Sequence, residues 1–282
     1  MIKQETVIEF FNKRAPAWDE EMIRSDEKIR SILDRAHVTE GSRVLDVACG
    51  TGVLIPDYLA RKVGSVTGVD IAPEMIRIAE SKFRQEDTVR FVCGDVEAAP
   101  VGEDFDCVVV YNAFPHFPDP ARLIRTLAQK LRLGGTLTVA HGMSREAIDD
   151  HHSGPAAEVS NGLMPVTQLS ELFSRYLKVT AILSDEGMYQ VVGVKVSPEE
   201  LHALRHGHTH DHGDAPHSHE DVPVEALLRH MAEHNVSHAA ELEELAEHMD
   251  GAARDAVTDA VIAMQESNDR LKEALNLYRC GL

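Results

Sequence analysis

Lysine and arginine are in short supply in this chain of 282 residues. Against 47 acidic side chains there are 28 basic ones, a formal net charge of -19. A nucleic-acid backbone or an anionic membrane surface would want the opposite balance, so neither is expected as a partner. No apolar run approaches the roughly 18 residues that a membrane-spanning helix needs. The opening stretch "MIKQETVIEFFNKRAPAWDEE" is charged throughout, with no apolar signal core and no small-residue cleavage site. Cysteine is sparse too. Cys49, Cys93, Cys107 and Cys280 lack the spacing of a metal knot or a disulfide framework, so a reducing, cytoplasmic setting is expected. What is present is a hydrophobic share of 43%, enough for one large core or a core plus a smaller module.

The apolar pattern changes twice along the chain. Residues 5–36 read as helix, with Val7, Ile8 and Phe11, then Ile23, Ile29, Ile32 and Leu33, on either side of a break at Pro16. From Arg43 the strand-like runs "RVLDVA", "SVTGVD", "VRFVCGD", "DFDCVVVYN" and "TLTVAHG" alternate with the helix-like "GVLIPDYLARK", "APEMIRIAESKFRQ" and "DPARLIRTLAQKLR". That alternation predicts an α/β fold, a doubly wound, mostly parallel sheet covered on both faces by helices. "KVTAILSDE" and "YQVVGVKVS" close the sheet as a final pair. The first domain is therefore placed at residues 1–197. A linker is expected over 198–222, and a helical hairpin over 223–282. In the hairpin Val224, Leu227, Leu228, Met231, Leu242, Leu245 and Met249 hold one face, and the "DG" at 250–251 turns the chain. The apolar stripe of such a hairpin needs cover, from the first domain or from a second copy in a homodimer.

"VLDVACGTGVL", residues 44–54, carries the most chemical information. A strand ends in Asp46, and a bend through Gly50 and Gly52 leads into a helix whose N–H groups are open to a ligand. Eighteen residues after Gly52 comes Asp70, ending the next strand, where an acid accepts from the two hydroxyls of a ribose. Asp95 ends the third strand, within reach of an adenine amino group. A nicotinamide dinucleotide would want a third glycine in the bend, and Gly50, Thr51, Gly52, Val53, Leu54, Ile55 do not supply it.

Three strand-end acids around one glycine bend resemble the class I S-adenosylmethionine-dependent methyltransferases. The likeness spans roughly residues 5–196. Its branch is that of ubiquinone and menaquinone biosynthesis, which often opens with a stretch like "FFNKRAPAWDE". "DVACGTG" matches the first motif, with Ala48 where many members have glycine. "GVDIAPEMI" matches the ribose motif, and "LRLGGTLTVA" the fifth strand. The resemblance implies a seven-stranded sheet in the order 3-2-1-4-5-7-6 and transfer of a methyl group from S-adenosylmethionine to a small-molecule acceptor by in-line displacement. It further implies Asp46, Ala48, Gly50 and Gly52 at the methionine end of the cofactor, with Arg14 reaching its carboxylate. Asp70 and Ile71 would hold the ribose, Asp95 and Val96 the adenine, and Asn112 the floor below the sulfonium. On the acceptor side, His116 and His141 lie at strand C-terminal ends and are the candidates, with Asn112, for catalysis. The insertion after His141, with Gly154 and Pro155, has the length of a lid.

The remaining motif is "HGHTHDHGDAPHSHED". His206, His208, His210, His212, His217 and His219 crowd the linker, and His230, His234 and His238 follow at helical spacing of four. Imidazoles at that density predict binding of Zn²⁺, Ni²⁺, Co²⁺ or Cu²⁺ as a second cofactor. The metal would regulate a methyltransferase. On the alternative reading, the chain is a metal-handling or metal-sensing protein, or the acceptor itself is metal-bound, such as a metal tetrapyrrole.

Overall fold

The computed structural model describes residues 2–151, 155–206, 242–243, 246 and 249–279. The chain divides into two compact units, Met1–Thr209 and His210–Leu282. In the first, α1 (Gln4–Arg14), a 3₁₀ turn (Ala15–Ala17), α2 (Trp18–Glu21) and α3 (Asp26–Arg35) precede the sheet. Pro16 breaks the helix as its sequence position predicts. A second interruption at Met22–Ser25 is new, because the Ser25 hydroxyl caps α3 by accepting from the Lys28 N–H. The sheet then alternates with helices: β1 (Arg43–Val47), α4 (Ile55–Ala60), β2 (Ser65–Asp70), α5 (Pro73–Lys82), β3 (Val89–Cys93), β4 (Phe105–Tyr111), α6 (Pro120–Lys130) and β5 (Leu131–His141). After it come α7 (Arg145–His151), a 3₁₀ turn (Pro155–Val159), α8 (Val166–Ser174), β6 (Lys178–Ser184) and β7 (Tyr189–Val194).

The strands lie in the order β3-β2-β1-β4-β5-β7-β6. All pairs are parallel except β5–β7 and β6–β7. The central strands β1, β2 and β4 are buried almost end to end, which is what a sheet covered on both faces requires. Alternate residues of β1 serve opposite cores. Leu45 and Val47 pack towards Leu123, Ile124 and Leu127 of α6, while Val44 packs towards Ile29 and Leu33 of α3 and Tyr58 of α4. The chain runs outward from β1 through β2 to β3, and in the other direction from β4 to β5. The carboxyl ends of β1 and β4 therefore flank the point where winding reverses, and a crevice forms there.

Where a linker is expected from residue 198, α9 (Pro198–His206) continues the first unit as helix, starting at the proline that suits a first turn. In the second unit a helix runs Gly251–Arg279, and Gly251 takes φ 63 at its start. The first arm of the expected hairpin falls largely outside the described residues. No helix among them is long and apolar enough to cross a membrane.

Leu33 is fully buried between α3 and the sheet. Leu33→Ala is expected to lower stability by about 2–5 kcal/mol, read as a shifted midpoint in chemical denaturation.

Candidate functional site

A cleft of about 350 Å³ opens at the switch point, within the range of pockets that take a small ligand. Asp46 and Ala48 line it from β1 and the following bend, as do Gly50, Asp70 and Ile71, Asp95 and Val96, and Asn112. The sequence-derived cofactor residues thus converge, with two exceptions. Gly52 is not on the wall. Its φ is 83, and an added Cβ would lie 2.6 Å from the Phe83 ring, so its role is to let the bend pass close over that ring. Arg14 also misses this cleft. Its Nη2 donates to Glu21 Oε2 at 2.7 Å and its guanidinium lies over the Phe10 ring, so it faces an adjoining cavity instead of the expected carboxylate.

Asp70 organises the bend. Its Oδ2 accepts from the Gly50 N–H at 2.9 Å, and its Oδ1 from Ala72 N–H at 2.8 Å. The first bond holds Gly50 in its left-handed conformation (φ 57), and the second steers the chain into α5. Ala48 also has positive φ (54), a conformation that costs a non-glycine residue about 1–2 kcal/mol.

The roof comes from the N-terminal helices, a contribution with no short-range sequence signal. Trp18 and Phe11 line the cleft, and the Trp18 indole lies against Gly50, with Nε1 3.7 Å from where a Cβ would sit. Asp19 accepts from Thr51 Oγ1 at 2.5 Å and pairs with Lys82 at 2.7 Å, tying α2 to the bend and to α5. Gln4 Nε2 donates to Asp95 Oδ2 at 3.0 Å, which closes the far end.

Asp46 is 2% exposed, and its Oδ2 has no hydrogen-bond partner. Burial, and next the negative charge of Asp70, push its carboxyl up to about 8. Asp70 is also raised by burial, but the N–H groups of Ala72, Gly50 and Ile71 oppose the shift. The two carboxyls therefore differ: Asp46 holds a proton at neutral pH, while the N–H groups around Asp70 favour its charged form.

A second cavity of about 180 Å³ shares Phe11, Trp18, Met22, Asn112 and His116 with the cleft. Asn112, at φ 53, accepts through Oδ1 from the Gly142 N–H at 3.0 Å, which joins the tips of β4 and β5. Lys28 Nζ donates to the carbonyls of Gly142 (2.9 Å) and Gly187 (2.7 Å) on the same side. His116 Nδ1 lies 2.7 Å from the Val159 carbonyl oxygen, and the ring stands edge-on to Phe11. A carbonyl can only accept, so Nδ1 carries the hydrogen. His141 is 2% exposed, packs edge-on to Tyr189 and reaches the wall of the second cavity. The segment expected as a lid contains α7 and the 3₁₀ turn ending at Val159.

A family model described as "Methyltransferase domain" matches residues 44–135. It spans the bend, Asp70, Asp95 and Asn112. This chain has the class I methyltransferase fold. A second model, described as "Domain of unknown function (DUF8180)", matches residues 224–278. Methyltransferase GfsG of Streptomyces halstedii is 34% identical over 124 residues, which cover 42% of this chain and 44% of that protein. The ubiquinone biosynthesis O-methyltransferase of Xanthomonas campestris pv. campestris is 40% identical over 102 residues, 34% of this chain and 41% of that protein. The chain spans less than half the length of these curated relatives. Among solved structures, N-methyltransferase NodS from Bradyrhizobium japonicum, in complex with S-adenosyl-L-homocysteine, superposes with a TM-score of 0.54 at 14% identity, over 69% of this chain and 99% of that one.

The metal expectation is corrected. A bound ion needs several ligands converging on one point. Among the described residues no group of three or more His, Cys, Asp or Glu side chains could hold one. His206 is the last residue of α9. His208, His210, His212, His217, His219, His230, His234 and His238 lie outside the described residues. Density of imidazole along a sequence does not itself set convergence, so Zn²⁺, Ni²⁺, Co²⁺ or Cu²⁺ is dropped as a cofactor. The metal-binding extension and the metal-handling, metal-sensing and metal-bound-acceptor alternatives are dropped with it.

The proton on Asp46 has a stability consequence. The unfolded chain loses it near the ordinary value of 3.8 and the folded protein near 8. The raised folded value contributes stability that is complete below pH 4 and is lost as pH climbs to about 8. Asp46→Asn, which keeps the shape of the neutral acid, is expected to flatten that part of a melting-temperature-against-pH curve measured on the ligand-free protein.

Proposed function

We propose that the chain is an S-adenosylmethionine-dependent methyltransferase acting on a small-molecule hydroxyl. The observation that carries this reading is one cleft, at the switch point, lined by Asp46, Asp70 and Asp95 around a left-handed glycine bend. The residues fit the cofactor. An unpartnered buried carboxyl oxygen on Asp46 suits its ammonium group, and the acids at the ends of β2 and beyond β3 suit its ribose and adenine. When bound, the cofactor supplies a methyl group already activated on sulfur.

The chain's own work is then alignment, which can be worth about 7–11 kcal/mol. Asp70 and Asn112 would fix the two strand tips between which the reaction runs. Phe11, Trp18 and Met22 would keep water from the shared wall of the two cavities. His116, with its hydrogen committed to Val159, would take the acceptor's proton at Nε2, and His141 would orient the acceptor from the second cavity.

The size of that cavity, 180 Å³, is close to the roughly 150 Å³ that accommodates a benzene ring. Arg14 and Glu21 at its wall neutralise each other, so a neutral acceptor is favoured. A phenol, near pKa 10, lies roughly 3.5 units above an imidazole, a gap of about 5 kcal/mol that alignment can offset. An aliphatic alcohol lies much further away. A single-ring phenol is therefore the acceptor class proposed, in keeping with the O-methyltransferase likeness and the ubiquinone-type branch.

Calorimetric titration of S-adenosylhomocysteine is the direct test. Binding is expected in the wild type, weakened at least about tenfold in Asp70→Ala, a loss of about 1.4 kcal/mol. No heat of binding from folded wild type would end the reading. In a panel of single-ring phenols, His116→Gln is expected to lower turnover about 10²–10⁴-fold while leaving that titration unchanged.

A further inference from the structure

We infer that Asp46 is a proton-exchanging receptor for the cofactor's ammonium group: neutral in the empty cleft, it releases its proton to solvent as the cationic amino-acid end docks. The inference rests on the cofactor reading above and adds a coupling that the reading does not require.

Geometry carries it. Asp46 is buried yet lines the cleft, and its Oδ2 has no partner within the protein. The groups packed around it bring no positive charge. From β2 comes the Asp70 carboxylate, whose oxygens are taken by backbone N–H groups. From the bend comes Cys49, a thiol that burial and the two acids keep protonated. From α4 comes the Tyr58 phenol, also held neutral by burial, whose hydroxyl partly opposes the rise of Asp46. Tyr111 on β4 is raised by burial as well. The cation on the cleft wall, Arg122, is paired with Glu97 at 2.5 Å. His116 donates Nδ1–H to Val159. Among the described residues, then, neither Asp46 nor Asp70 has an ion-pair partner, and two adjacent buried carboxylates are too costly to coexist without one. A bound ammonium is the missing cation. Its arrival makes the second carboxylate favourable, and the proton on Asp46, held up to about 8 in the empty site, leaves. One positive charge enters and one departs, and no covalent bond changes.

The test uses the full chain and S-adenosylhomocysteine, which carries the ammonium without the sulfonium. Titrations at pH 7 in buffers of different ionisation heat count protons directly. About one released proton per site is expected at pH 7, falling towards zero by pH 8.5–9. Affinity should rise about tenfold per pH unit between pH 6 and 8 and then level off. Asp46→Asn should release no proton and bind with a flat profile. Wild-type binding with no proton release and no pH dependence would overturn the inference and leave the cofactor site standing, as would proton release that persists in Asp46→Asn. Absence of any binding would instead remove the cofactor reading, and the inference with it. If Asp46→Asn does not fold, the wild-type proton count and pH profile decide alone.

Discussion

Asp70 is bonded to three separate parts of the chain. Its side chain receives the Gly50 and Ala72 N–H groups, and its backbone carbonyl accepts from Gly94 at the end of β3 at 2.9 Å. One residue thus sets the glycine bend after β1, the entry to α5 and the loop carrying Asp95. The bend needs an acceptor at this point, because left-handed backbone leaves the Gly50 N–H pointing away from any helix or strand partner, and Asp70 Oδ2 provides it. The walls of the cleft follow from that single placement.

A conserved topology would be compatible with many reactions, and a fold does not choose among them. What narrows the choice here is the sharing of Phe11, Trp18, Met22, Asn112 and His116 between a larger, acid-lined cavity and a smaller, aromatic one. The two cavities meet at these five side chains. Group transfer between two bound molecules is the chemistry such an arrangement serves.

The alternation of strands and helices was legible in the sequence because it depends on local apolar runs. The three acids were legible because each lies at or just beside a strand's carboxyl end, whereas the strand order came only from the family resemblance. Contacts between distant segments were not legible. Nothing near Gln4 announces Asp95, ninety-one residues away, and nothing near Asp19 announces Thr51 and Lys82. Arg14 was assigned to the cofactor from its place in a resembling stretch, and its ion pair with Glu21, across the break at Pro16, was not legible there. The α4 helix begins only at Ile55, later than its apolar pattern, because the left-handed Gly52 delays it. Pro198 read as a boundary but serves as a first-turn proline, and the histidines misled because composition carries no information about convergence.

Lys28 has a consequence for how the two halves of the site behave in solution. Its ammonium bridges two backbone carbonyls, Gly142 and Gly187, and pairs with no carboxylate among the described residues. The joint between α3, the tip of β5 and the β6–β7 turn is therefore made with backbone acceptors, which have no proton to lose. One wall of the crevice is an electrostatic instrument and the other a fixed abutment. Gain or loss of a proton by a carboxyl on the first wall leaves the backbone hydrogen bonds of the second untouched.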